Sequence, residues 1–268
     1  MKNRNAVLGL GAVGVCVQEL KNMWRETLKP DEQGHYIHPC DRSTLKPWLA
    51  KRPRTAVEGD LARPPSGRLH LQLPPVPFVG DLETADIVFA MINPAAENQD
   101  YIDARCARFQ SSLRANLSGS DQKCFALDEE SAPTAWHTYY RGVFNCFVTE
   151  HADRIAETGK LQSDRSRALW NSLKRRIVIL ELVPYYSQKA DMLLRAGLHE
   201  TLPTANAAKA ALKELAKRSK DDLLIICRWP NGAARWDLPV NRCIVSEPRR
   251  GLSQTAKRAL HEFLDHKP

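Results

Sequence analysis

Three short apolar runs, followed by a fourth strand-like segment, constrain this chain more than any other feature. Ile87-Val-Phe-Ala-Met-Ile92 stops at Asn93-Pro94, and Ile177-Val-Ile-Leu-Glu-Leu-Val183 stops at Pro184. Leu223-Leu-Ile-Ile-Cys227 and Asn241-Arg-Cys-Ile-Val245 follow. Each is too short for a helix core and rich in β-branched or bulky residues. The first three lack polar alternation, which marks strands buried on both faces, as in a parallel sheet. Helical patterns fill the intervals: residues 103–116, a stretch through Tyr139, Tyr140, Val143 and Phe147, residues 164–175, and Thr204 to Lys217. In the last of these, Ala207, Ala208, Ala211, Leu212 and Leu215 share one face. Ser253 caps a final helix with Ala256, Ala259, Leu260 and Phe263 inward. Strands separated by helices predict an α/β chain whose parallel sheet carries helices on both faces.

The 268 residues suffice for one large α/β domain, or for one domain with an extension. Nine of the 17 prolines fall within residues 29–80, among scattered basic residues. We therefore read residues 1–75 as a basic, Pro-rich N-terminal extension, with a helix over 17–28, and 76–268 as the catalytic domain. The extension contains Gly9-x-Gly11-x-x-Gly14, the dinucleotide pattern. Only three strand-like residues precede it, and no second strand leads to an acid at Asp31 or Glu32, so a dinucleotide site is rejected. Lys2 and Arg4 before an apolar run resemble a leader, but the run soon passes into charged sequence. No stretch reaches the roughly 18 apolar residues of a membrane span. The seven cysteines are odd in number and include no C-x-x-C pair, which points to a reducing, cytoplasmic setting without a zinc or iron–sulfur cluster. His35, His38 and Cys40 are spaced like metal ligands, yet no partner pair stands elsewhere, so no metal or cofactor is expected. The formal charge of +8 suits a polyanionic partner. No membrane and no obligatory protein partner are indicated.

In open α/β sheets ligands bind beyond the carboxyl ends of the strands. The first strand delivers Asn93-Pro94 and a loop with Glu97, Asp100 and Tyr101. The second delivers Glu181, then Pro184-Tyr185-Tyr186-Ser187. The fourth delivers Ser246-Glu-Pro-Arg-Arg-Gly-Leu-Ser253, running into a helix N-terminus with arginines beside it, a phosphate-binding arrangement.

Together these segments resemble the uracil-DNA glycosylase superfamily over residues 76–266. The resemblance rests on Gly80-Asp81 leading to Asn93-Pro94, on Leu127-Asp128, on Glu181-Leu-Val-Pro-Tyr-Tyr-Ser187 and on the closing loop 246–253. It implies a three-layer α/β/α sandwich with a central four-stranded parallel sheet. It also implies hydrolysis of an N-glycosidic bond in DNA, with the nucleotide flipped out at the strand ends. Two departures stand out. Well-known members hold a His before Pro-Ser in the closing loop, where this chain has Ser246-Glu247-Pro248. Their second strand often ends in an Asn that reads the base, where this chain has Glu181.

Glycosidic cleavage needs a placed water, donors toward the departing base and tolerance of positive charge on the sugar. Asn93 orients a water through its amide oxygen in this reading, or is simply a turn former before Pro. Glu97 and Asp100 activate the water or are solvated loop acids. Pro94, Tyr101, Phe125, Glu181, Tyr185 and Tyr186 are the base-pocket candidates, with core packing as the plain reading of the aromatics. Ser187, Ser246, Arg249, Arg250 and Ser253 are the DNA-binding candidates, with capping or solvation as the alternative. Glu181, inside an apolar strand, is either paired with an arginine or functional. As an ionised acceptor it would suit the amino group of cytosine or adenine and repel the carbonyl edge of uracil. No strand-end lysine suggests lyase chemistry.

The expectation is a monofunctional DNA glycosylase that leaves an abasic site. The favoured substrate is a hydroxymethylated or glucosylated cytosine of phage DNA, in antiviral defence. Alternatives are a uracil-excising repair enzyme, a non-catalytic DNA-binding protein on the same fold, and a small-molecule N-ribosidase.

Overall fold

The computed structural model describes residues 14–25, 29–49, 69–121, 123–128, 134–154, 161–246 and 251–266. The apolar runs form a single mixed sheet. Its strands are β1 (Phe78–Val79), β2 (Ile87–Met91), β3 (Ile177–Glu181), β4 (Leu224–Cys227) and β5 (Ile244–Val245), in the order β1-β3-β2-β4-β5. β2 lies between β3 and β4 and pairs with both in parallel, Phe89 standing opposite Ile179 and Ile226. Beyond the strand ends, the Leu182 and Val183 amides still donate to the Met91 and Ile92 carbonyls, which keeps the two exits side by side.

Five strands replace the expected four. The addition is β1, antiparallel to β3 through Phe78 opposite Leu180. Two residues after Pro77 are too few to show periodicity. The turn out of β1 depends on Gly80, at φ +105°, where a Cβ would stand 2.5 Å from the Ile177 carbonyl oxygen.

The helices are α1 (Val15–Trp24), α2 (Arg42–Leu49), α3 (Asn98–Asp103), α4 (Ala107–Ser118), α5 (Thr134–Arg154) and α6 (Gln162–Arg176). They continue with α7 (Ala190–Arg195), α8 (Leu198–Thr201), α9 (Pro203–Leu215), α10 (Gly232–Arg235) and α11 (Gln254–His266). The single helix expected over 103–116 is two, α3 and α4, with a break at Arg105-Cys106. Phe89 meets Phe144 of α5, which meets Trp170 of α6, so these two helices cover that side of the sheet. α1 packs on α9 in the other layer, where Ala205, Ala208 and Ala211 are buried and allow close approach. None of the helices among the described residues is long and apolar enough to cross a membrane.

The described part of the N-terminal extension does not lie apart from the core. Val17, Leu20, Trp24, Leu45, Leu71 and Leu73 are buried in the same cluster as the strands. Asp41, fully buried, accepts from the Tyr185 hydroxyl at 2.7 Å and from the Thr204 hydroxyl and amide at 2.6 and 3.1 Å. Its carboxylate thus caps the first turn of α9 from outside the helix. His38 is spent structurally as well: Nδ1 accepts from the Cys40 amide and Nε2 meets the Met23 carbonyl. No cluster of metal-ligating side chains occurs among the described residues. Gly9 and Gly11 of the glycine pattern lie outside them, and Gly14 precedes α1.

Burial also sets a titration. His70 Nδ1 accepts from the Tyr101 hydroxyl at 2.6 Å, and desolvation lowers its pKa from 6.5 to about 4. The unfolded chain therefore takes up this proton first, and His70 loses its contribution as pH falls from 6.5 toward 4. The stability advantage of the wild type over His70→Gln should shrink by on the order of 2–3 kcal/mol across that window. Urea midpoints of both proteins at matched pH measure it, and carboxyls that titrate in both cancel. A constant difference would show that His70 takes up its proton equally in the folded and unfolded states.

Candidate active site

A cleft of about 550 Å³ opens where β2, β3 and β4 end. The pleat decides what faces it. Met91 and Glu181 are paired in register, two residues beyond Phe89 and Ile179, so they point to the same side of the sheet, toward α5. Arg228 follows β4 and its guanidinium lies 6.0 Å from the Phe89 ring centre. Glu181 and Arg228 line the floor, with Tyr140, Trp136 and Tyr139 of α5 on one wall. The loop from Asn93 to Asp100 and the segment from Ser187 to Asp191 complete the rim, with Trp229 beside them.

Asn93 is held in one orientation. Its Nδ2 donates to the Pro94 carbonyl at 2.7 Å, the Ser187 carbonyl at 3.3 Å and the Ser187 Oγ at 3.2 Å. Two of those partners are carbonyl oxygens and can only accept, so the amide nitrogen must face them. The Asn93 oxygen is turned away from these bonds, and Asn93 lines the cleft.

Asp100 lies one turn into α3 and is 4% exposed. Its Oδ2 accepts from the Glu97 amide at 2.7 Å, capping the helix. Desolvation, with the charges of Glu97 and Asp103, nevertheless raises its pKa to about 7. A carboxyl poised there exchanges a proton near neutral pH. Glu97 is exposed at the cleft edge.

Glu181 is 1% exposed, and neither carboxyl oxygen has a hydrogen-bond partner among the described residues. Burial holds its pKa well above the usual carboxylate range. The expected alternative, an arginine ion pair, is not formed among the described residues. Arg228 instead donates from Nη1 to the Gly251 carbonyl at 2.6 Å and the Ser246 Oγ at 3.2 Å. The reading of Glu181 as an ionised acceptor is therefore corrected: buried and without a hydrogen-bond partner among the described residues, the acid is biased toward its protonated form, which presents one donor and one acceptor.

Asn93, Pro94, Glu97, Asp100, Glu181 and Ser187 come together at the cleft. The other candidates among the described residues do not line it. Tyr101 turns to His70, and Phe125 packs edge-on to Phe109 in a short 3-10 turn. Tyr185 is tied to Asp41 and the His38 amide, and buried Tyr186 neighbours Trp136 from behind the cleft lining. The serines expected on DNA are internal. Ser187 is buried and accepts from Asn93, and Ser246 is buried and accepts from Arg228 and the Ser253 amide. Ser253 itself caps α11 through the Ala256 amide. Arg249 and Arg250 lie outside the described residues. Trp136, Tyr139, Tyr140, Arg228 and Trp229 are cleft residues that the sequence reading missed. Arg228-Trp229 directly follow a strand, so the strand-end rule that singled out Asn93 applies equally to them.

No protein-family model matches the chain, and neither curated proteins nor solved structures include a significant match to it.

Proposed function

We propose that this protein is a monofunctional DNA glycosylase that hydrolyses the N-glycosidic bond of a flipped-out modified base and leaves an abasic site. The favoured base is a hydroxymethylated or glucosylated cytosine in phage DNA, which fits a role in antiviral defence. One observation carries the reading: at a single cleft beyond the strand ends, a fixed amide (Asn93), an acid poised near neutrality (Asp100) and an unpartnered buried acid (Glu181) meet an aromatic wall. Such a wall offers a face for stacking a base taken out of the duplex. Asn93 Oδ1 orients the attacking water, and Asp100, ionised as the sugar turns positive, offsets that charge and takes the proton of the water as it bonds. The protein's net charge of +8 suits a phosphate backbone.

Protonated Glu181 also matches the donor–acceptor edge of uracil, so uracil excision is the second reading. Duplexes bearing unmodified cytosine, 5-hydroxymethylcytosine, its glucosylated form or uracil, incubated in parallel and treated with alkali, test the proposal. Free base with alkali-dependent cleavage supports it, and release from uracil alone moves the assignment to repair. Strand breakage without alkali would replace the monofunctional assignment by a lyase. Binding without base release would favour a DNA-binding protein.

Arg249 and Arg250 stand between Ser246 and Gly251, both of which bond the cleft residue Arg228. Replacing both by Ala should weaken DNA binding and reduce the slope of log affinity against log salt by about one to two phosphate contacts. Fluorescence anisotropy across a salt series reads this directly. An unchanged slope would remove this loop from the interface.

A further inference from the structure

We propose that Glu181 is the general acid of the reaction: it donates its proton to a ring nitrogen of the departing base, and the enzyme therefore takes bases whose Watson–Crick edge sets such a nitrogen beside an amino group. This deepens the glycosylase reading and rests on it.

The geometry selects Glu181 for this work. It sits at the end of β3 on the cleft side, with Met91 its neighbour in register. Its two oxygens are the only carboxyl oxygens among the described residues that are fully buried without a hydrogen-bond partner. A buried polar group left unpaired costs about 1–3 kcal/mol, so a fold that keeps one at its ligand crevice implies that a ligand completes it. The groups around it do not hold it ionised. Tyr140 of α5 and Tyr186 of the following loop lie within its electrostatic reach, and both phenols are pushed up by burial and so stay neutral. Arg228 on the same floor donates to the Gly251 carbonyl, the Ser246 Oγ and the Tyr139 hydroxyl. Asp100, also at the cleft, is an acid that would oppose a second negative charge. In this setting desolvation favours the protonated form of Glu181.

A neutral carboxyl offers O–H beside C=O. Against a cytosine edge, the O–H meets N3 and the carbonyl accepts from the 4-amino group. A substituent at the adjacent 5 position leaves that pair intact. In the step, the Glu181 proton passes to N3 while the C1′–N1 bond breaks with its electron pair going to the ring. The base then leaves neutral rather than as an anion. Water bonds to C1′ and gives its proton to Asp100, which releases it to solvent as Glu181 regains one, so the balance is hydrolysis. Uracil carries a hydrogen on N3 and has no acceptor there. Guanine likewise carries a hydrogen on its ring nitrogen N1, so its Watson–Crick edge offers no ring nitrogen to receive the proton.

The test is single-turnover release of free base from duplex DNA containing glucosylated 5-hydroxymethylcytosine, with uracil DNA alongside. Wild type and Glu181→Gln are compared across a pH series, together with their affinity for the same DNA. Gln keeps a donor and an acceptor at this position but has no proton to give. It should bind DNA as the wild type does, release base about a hundredfold more slowly or worse, and lose the alkaline fall in rate. The wild type should slow about tenfold per pH unit above the titration of Glu181. Equal rates in the two proteins, or an alkaline limb that survives in Glu181→Gln, would end the general-acid role and leave the glycosylase standing. Release from uracil DNA alone, or from no DNA in the wild type, would end the role as well, and the latter would end the glycosylase reading with it. The wild-type profile stands on its own should the variant fail to fold.

Discussion

Asn93→Ala should lower single-turnover base release by about 10²–10³-fold and leave DNA affinity unchanged. The expectation follows from how the side chain is held. Three bonds from Nδ2 to Pro94 and Ser187 fix the amide before any substrate arrives, so no ordering is needed at the moment of reaction. Ala keeps the chain before Pro94 in its extended form and removes only the amide. The Ser187→Ala control deletes one of the three acceptors and leaves the Asn93 oxygen in place, so it should cost less than about tenfold. Base release at saturating enzyme, with anisotropy for affinity and circular dichroism for folding, separates the outcomes. A folded Asn93→Ala protein of full activity would return Asn93 to the role of a turn former.

Asp41→Ala should destabilise the protein by about 3–5 kcal/mol. The carboxylate is fully buried and collects the hydroxyls of Tyr185 and Thr204 and the Thr204 amide. Its removal strands three donors in a dry site and uncaps α9 at once. Tyr185→Phe, which removes a single bond from the same carboxylate, should cost only about 1 kcal/mol. Urea denaturation with a common slope measures both. Because Asp41 lies before residue 76, a large effect also shows that the N-terminal segment and the sheet core unfold together. A change below about 1 kcal/mol would mean that the segment can detach without loss to the core.

The parallel strands were legible because burial on both faces leaves a run of apolar residues that nothing else in a short segment produces. β1 was not, since its two residues owe their conformation to β3 and to Gly80. Asn93 and Glu181 were placed at the cleft because a polar residue at the end of an apolar strand is costly and needs a reason, and Asp100 because it lies in the loop beyond a strand's carboxyl end. The aromatics were misjudged. Tyr185 and Tyr186 follow a strand just as Asn93 does, but the chain after Pro184 turns their rings inward, one to Asp41 and the other behind Trp136. Trp136, Tyr139 and Tyr140 reach the cleft from a helix, and where a helix lies along a sheet is set by tertiary packing. The charge state of Glu181 was likewise beyond the sequence, because it depends on which cations fold up beside it.

The sheet's borders have a consequence of their own. β1 and β5 are two residues each, whereas the five-residue β2 and β3 are enclosed between neighbours. An incoming strand from another molecule would find almost no backbone ladder on either margin, which is how natural sheets resist edge-to-edge growth. The segments with high β propensity and no charge, 87–92 above all, are sealed in the middle. Among the described residues, self-association through the sheet thus requires β2 and β3 to be uncovered first, so it is tied to how seldom the native sheet opens.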